Sequence, residues 1–286
     1  MILLTGATGH LGRYTMEYLM TKNITSPIAV MARDASLNWN DIDVRMGDYN
    51  DFPTLVHAFK GVDTLLFIST NATENRLQQH ANVLRAAKEN DVKHIVYTSM
   101  LNASETSTFE PAIDHFHTEE LLKQTGIPYT IFRNAFYGEI IPMLMGDALQ
   151  TGTWYYPAGN AKVNFVARKN IAEALANVMA NPAMHKNKTY EIASRTSYTF
   201  SEIAGLLSSI TDKPIVYIPI SLETMRQGMQ QSGIPLALIN LIVSGADAIL
   251  KGETDITDDC LEMLLDRKPL DLKDYLPELL GKMARH

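Results

Sequence analysis

Cysteine is nearly absent. Cys260 stands alone among 286 residues, which excludes an internal disulfide and any zinc site built on paired thiolates. Positive charge is scarce as well: 25 Lys and Arg face 32 Asp and Glu, the net charge is -7, and the basic residues form no cluster. Nothing electrostatic therefore invites a nucleic acid. Long hydrophobic runs are missing too. The most apolar stretch, IPLALINLIVSGADAIL, is interrupted by Ser244, Gly245 and Asp247 and falls short of the roughly 20 residues a bilayer crossing needs. It reads as a buried or lobe-forming helix. No repeat or low-complexity tract occurs, and Met1 opens a strand-like run rather than a charged, apolar leader. The expected location is a reducing cytoplasm, with no membrane partner.

What is present is alternation. Short runs rich in Val and Ile, at 2–5, 28–32, 44–46, 64–68, 94–99, 129–133 and 164–166, read as strands. Between them, segments beginning near His10, Phe52, Glu74, Ile113 and Lys169 carry apolar residues at helical spacing; in LQQHANVLRAAKEN, Leu77, Ala81, Leu84 and Ala87 make one predicted stripe. This is the pattern of parallel strands joined by crossover helices. From about residue 194 it weakens and helices dominate. The expected fold is α/β, a Rossmann-type doubly wound parallel sheet over 1–193. A small, mainly helical substrate lobe is expected over 194–286, with residues near 135–160 contributing to it. Strand-to-helix turns of such a sheet gather at one edge, where ligands bind.

The first of those turns is the most informative. In MILLTGATGHLG a strand, a turn carrying Gly6, Gly9 and Gly12, and a helix follow one another. Backbone can there approach a diphosphate, and the helix dipole favours its charge. Gly6 permits the tight turn, Gly9 the close approach and Gly12 the packing of helix on strand, with Thr8, His10 and Leu11 between them. The spacing is G-x-x-G-x-x-G rather than G-x-G-x-x-G, so the dinucleotide fingerprint applies by mechanism and not letter for letter. A turn serving packing alone is the competing reading. After the second strand, Arg33 suits the extra phosphate of NADP and Asp34 the ribose of NAD; paired guanidinium hydrogen bonds favour NADP(H) over NAD(H). Asp48, after the third strand, either accepts from an adenine amino group or caps the helix near Phe52.

Together, TGATGHLG, Gly47-Asp48, FKGVDTLLFIS, VKHIVYTS, HTEELLKQTGIPYTIFRNAFY and YPAGNAKVNFVARKNIAEALANVM resemble the NmrA-like group of atypical short-chain dehydrogenase/reductases. The resemblance spans roughly the whole chain and is nearest to type 2 NAD(P)H:quinone oxidoreductases and triphenylmethane reductases. It implies that ribose and nicotinamide pass Ile68, Ser69, Thr70, Thr98, Ser99 and Met100, with ordinary strand-end capping the alternative for the hydroxyls. Ser99 then corresponds to the catalytic Ser/Thr of related reductases. Aligning Glu119 with the family's acidic residue puts His115 where the usual catalytic Lys stands and Pro111 where the Tyr stands, so the proton-abstracting dyad is missing. His115 becomes a candidate donor to ribose or acceptor, or else a surface histidine. Asp114, His115 and His117 cannot share one helix face, so no metal is expected. Asn134, Phe136 and Tyr137 are candidates for the acceptor pocket, or for core packing.

The function these readings imply is an NADP(H)-dependent reductase passing hydride to a quinone-like or other flat, electron-poor aromatic molecule. Such an acceptor needs positioning more than acid–base help. The family also implies an alternative, a non-catalytic NADP(H)-binding redox sensor acting on a partner protein. A nucleotide-sugar epimerase is a weaker one, because it needs the missing dyad.

Overall fold

The computed structural model describes residues 1–34, 39, 42–72 and 74–283. Its first part alternates strands β1 (Ile2–Leu4), β2 (Ile28–Ala32), β3 (Asp43–Met46), β4 (Thr64–Phe67), β5 (His94–Met100) and β6 (Tyr129–Asn134) with helices α1 (His10–Met20), α2 (Phe52–Ala58), α3 (Arg76–Glu89) and α4 (Glu110–Gln124). There follow β7 (Phe136–Tyr137), α5 (Ile141–Leu144), α6 (Ala148–Thr151), β8 (Thr153–Tyr156), β9 (Lys162–Val166), α7 (Arg168–Ala180) and β10 (Lys188–Ile192). The remainder comprises β11 (Ser197–Thr199), α8 (Phe200–Thr211), β12 (Val216–Pro219), α9 (Leu222–Gln231), α10 (Leu236–Leu250), α11 (Cys260–Leu265) and α12 (Leu272–Met283).

Seven parallel strands form the main sheet in the order β10-β6-β5-β4-β1-β2-β3. Progression reverses at β1, with β2 on one side and β4 on the other, so the crevice of this doubly wound sheet opens beyond the C-terminal ends of β1 and β4. Successive side chains point to opposite faces. Leu4, Val30, Leu66, Val96 and Phe132 pack with α1, α7 and α11, while Leu3, Met31, Leu65, Phe67, Ile95 and Tyr97 pack with α2, α3 and α4. Both faces are covered, which is why these strands read as continuous apolar runs.

Two sequence expectations shift. The strand at 164–166 is part of β9, which pairs with β7 and β11 in a separate three-stranded sheet; the seventh place in the main sheet goes to β10. An edge strand with charge at its start, KTYEI, gives a weak apolar signal. On α3 the stripe is rotated: Leu77 is exposed, and the buried positions are Gln79, His80, Val83, Leu84, Ala86 and Ala87. Polar residues enter that face because each finds a hydrogen-bond partner there.

A second core, centred on Trp154, Tyr156, Phe165 and Phe200, gathers residues of 141–167 with residues of 200–280. Parallel pairing of β8 with β12 binds those two segments together. Helix α11 packs on the sheet side, against α7. No helix among the described residues is long and apolar enough to cross a membrane.

Candidate functional site

At the first turn Gly6 adopts φ +62°, and its amide neighbourhood closes with Gly9 N–H donating to Gly6 O at 3.0 Å. Glycine adopts that φ at no steric cost, which most side chains do not. A Cβ on Gly12 would stand 2.3 Å from Gly6 O and 2.7 Å from Ala7 Cα, so α1 can sit on the turn only because Gly12 has none. A Cβ on Gly9 would meet nothing nearer than Gly6 O at 3.4 Å. Gly9, Thr8 and His10 are exposed, Leu11 is buried, and α1 begins with no side-chain cap and no acid in its first turn. Its leading N–H groups and the positive end of its dipole thus face the crevice, a fit for a diphosphate.

The neighbouring strand ends are fixed by hydrogen bonds the sequence did not announce. Ile68 N–H donates to Thr5 Oγ1 at 3.1 Å, and the Tyr49 hydroxyl lies 2.5 Å from Thr5 Oγ1 and 2.8 Å from Ile68 O. Ser69 N–H donates to Thr98 Oγ1 at 2.9 Å. Thr70 N–H donates to His80 Nε2 at 3.2 Å, so the imidazole proton is on Nδ1, which donates to Thr118 Oγ1 at 2.8 Å. Burial, helped by the Arg76 cation, pushes His80 down to about 3. The imidazole is therefore a permanent neutral bridge from α4 to the loop after β4. A signal for it existed: His80 stands three and four residues before Val83 and Leu84, on the apolar face.

Ser99 and His115 are both buried. Ser99 Oγ donates to Glu119 Oε1 at 2.5 Å, and Glu119, wholly buried, takes two further hydrogen bonds from Arg133 at 2.9 and 2.7 Å. Hydrogen bonding to Glu119 drives the Arg133 guanidinium still further toward its charged form. A buried carboxylate needs such partners. His115 Nδ1 shares a 2.7 Å hydrogen bond with the Tyr97 hydroxyl, and burial holds its imidazole neutral, with Arg76 and His80 adding to the effect. The Asp114 carboxylate faces Arg76 at 3.6 Å.

At the end of β6, Asn134 is 3% exposed, and neither its Oδ1 nor its Nδ2 has a hydrogen-bond partner. Leaving both atoms of a buried amide unpaired is costly. Phe136 and Tyr137 follow at partial exposure. The Tyr137 hydroxyl is close enough to feel the amide but outside hydrogen-bond geometry. Burial pushes its phenol up while Arg168, whose Cζ lies 4.8 Å from the ring centroid, pulls it down. Phe109, ahead of α4, meets Phe136 edge to face at 5.7 Å. Arg168 and Phe109 were both missed by sequence reasoning, since their neighbours come from other elements.

Of the remaining candidates, Arg33 is exposed just past β2, and Met100 is half-buried at the end of β5. Asp48 organises its own turn: Oδ1 accepts from Asn50 N–H at 2.8 Å, and Asp51, not Asp48, stands at the N-cap of α2. All three lie at the same C-terminal edge of the sheet as the glycine turn.

The same arrangement of elements occurs in known proteins. Quinone oxidoreductase 2 of Escherichia coli (strain K12) is 35% identical over 98% of this chain and 99% of its own length. The crystal structure of NADPH-dependent quinone oxidoreductase from E. coli in complex with NADPH superposes with a TM-score of 0.92 at 33% identity, covering 98% of this chain and 100% of the other. Triphenylmethane reductase of Citrobacter sp., complexed with NADP(H), gives a TM-score of 0.88 at 36% identity over 97% and 99% of the two chains. NAD(P)H azoreductase of Xenophilus azovorans is 27% identical over 100% of this chain and 94% of its own. Residues 1–276 match the NmrA-like family, and the chain belongs to that family.

Proposed function

We propose that the protein is a cytoplasmic NADP(H)-dependent reductase that delivers hydride to a quinone-like or other flat, electron-poor aromatic acceptor. The observation that carries the acceptor class is the end of β6. There a buried amide with both polar atoms unpaired, Asn134, is followed by the part-exposed rings of Phe136 and Tyr137. Such a group suits a carbonyl-bearing ring, which the aromatic faces hold by stacking. The relatives named for quinone and dye reduction support the same class.

The chain's own residues divide the work by position. Backbone N–H groups of the turn from Gly6 to Gly12 would bind the diphosphate, and Arg33 the 2′-phosphate. Asp48, with one carboxylate oxygen engaged in its own turn, would face the adenine side. Ile68, Ser69 and Thr70, fixed by Thr5, Thr98 and His80, would flank the ribose together with Met100. When bound, NADPH supplies the hydride. Ser99 and His115 are tied to Glu119 and Tyr97; in this reading they hold β5 against α4 rather than exchange protons with the acceptor. The proton that completes reduction of a quinone oxygen comes from water. Orientation is thus the main catalytic contribution.

The test is direct. Purified protein, NADPH and a panel of small quinones are followed at the nicotinamide absorbance, and saturable NADPH consumption is expected. Tight NADPH binding with no turnover on any acceptor would overturn the reductase reading and leave the redox sensor.

A further inference from the structure

Glu253, just past α10, lies 145 residues along the chain from Thr108 and yet is tied to it. Its carboxylate accepts from Ser107 Oγ at 2.6 Å, from Thr108 Oγ1 at 2.9 Å and from Thr108 N–H at 3.0 and 3.3 Å. Ser107 Oγ in turn accepts from Phe109 N–H at 3.1 Å. One carboxylate therefore fixes three consecutive residues at the entrance of α4. A second tie lies alongside: the Phe109 ring rests on α10 where Gly245 leaves room, a Cβ there standing 3.3 Å from Phe109 Cε2. Held this way, Phe109 meets Phe136 edge to face at 5.7 Å, and both rings keep part of their surface open. The segment carrying Glu253 is anchored as well, since Thr254 O accepts from Asn164 N–H of β9 at 3.0 Å.

We infer that Glu253 is a positioning residue, a latch from the second core that holds Phe109 against Phe136, and that Phe109 is a specificity-determining wall of the acceptor site. The inference rests on the proposal that Asn134, Phe136 and Tyr137 receive the acceptor. It explains why a charged side chain is committed to a surface loop far away in sequence. Exposed carboxylates gain little from single contacts, but several donors converging on one of them order a loop. It also gives Gly245 a purpose within an otherwise apolar helix.

Binding is measured with menadione in the presence of NADP+, which cannot donate hydride, so affinity is read without turnover. Glu253→Ala and Phe109→Ala are each expected to raise the menadione dissociation constant about tenfold, the scale of one aromatic contact, while NADPH affinity stays within about twofold. Glu253→Gln, which keeps an acceptor for Thr108 N–H, is expected to fall between. The double variant Glu253→Ala with Phe109→Ala should bind no worse than the weaker single variant, because both remove the same wall. Amide exchange at Thr108 and Phe109 should quicken in Glu253→Ala with no change in α1. Unchanged menadione affinity in the single variants, additive losses in the double variant, or equal loss of NADPH and menadione affinity would each overturn the latch. Failure of the wild-type protein to bind menadione would remove the acceptor site itself and the latch with it.

Discussion

Gly9 and Gly12 are the same residue for different reasons. Gly12 has no room for a Cβ inside the protein, with backbone atoms at 2.3 and 2.7 Å, whereas Gly9 has room and faces outward. Gly12→Ala should therefore lower stability by about 1–3 kcal/mol through overpacking against backbone. Gly9→Val should leave the thermal midpoint nearly unchanged and abolish NADPH binding by calorimetry, because its side chain would occupy the line of approach to the helix N-terminus. Retained NADPH affinity in Gly9→Val would count against the diphosphate assignment. These glycines were legible because a contiguous motif carries its own context. Ser99 and His115 were legible only as a hydroxyl and an imidazole. Their partners, Glu119 and Tyr97, lie on other elements, and spacing along one chain segment does not reveal a hydrogen bond across two.

At the level of elements, the interface of α3, α4 and β5 is built on imidazoles that stay uncharged. Burial depresses His80 to about 3 and holds His115 well below its ordinary value; on the opposite face of the sheet, away from α3 and α4, burial also depresses His94 of β5, bonded to Thr130 of β6 at 2.8 Å, to about 4. In the unfolded chain each returns to about 6.5. Between those values the unfolded state binds protons that the folded state refuses, so stability falls as pH falls from 6.5 toward 4. The slope is about 1.4 kcal/mol per pH unit for each imidazole. Urea midpoints should accordingly drop steeply from pH 7 to pH 5. His80→Gln, whose amide offers the same acceptor to Thr70 and donor to Thr118, should fold and show a shallower drop. A midpoint flat across that range would contradict neutral imidazoles at this interface. Most strands and crossover helices could be read from the sequence because each element covered on both faces announces itself. Strand β10 could not, since its Lys188 and Glu191 serve an edge and an ion pair with Arg133.

Across the whole molecule the main sheet, with an apolar layer on each face, meets the second core at the end of β6, where Asn134 belongs to the sheet and Phe136 packs on that core. The second core was hard to foresee, because 141–167 and 200–280 contribute to it together and their pairing, β8 with β12, joins strands some sixty residues apart. Phe200 tests how far the main sheet and the second core act separately. It is fully buried, stacked on Tyr156 at 4.4 Å and edge-on to Trp154 at 5.0 Å. Phe200→Ala should cost about 3–5 kcal/mol, drawn wholly from the second core. The glycine turn, β4 and β5 contribute nothing to that core, so NADPH affinity is expected to stay within about threefold while quinone turnover is lost. The comparison is made by calorimetry and by the absorbance assay on one preparation. Parallel loss of both would mean that the cofactor crevice depends on the second core and that the two cannot be treated as separate units.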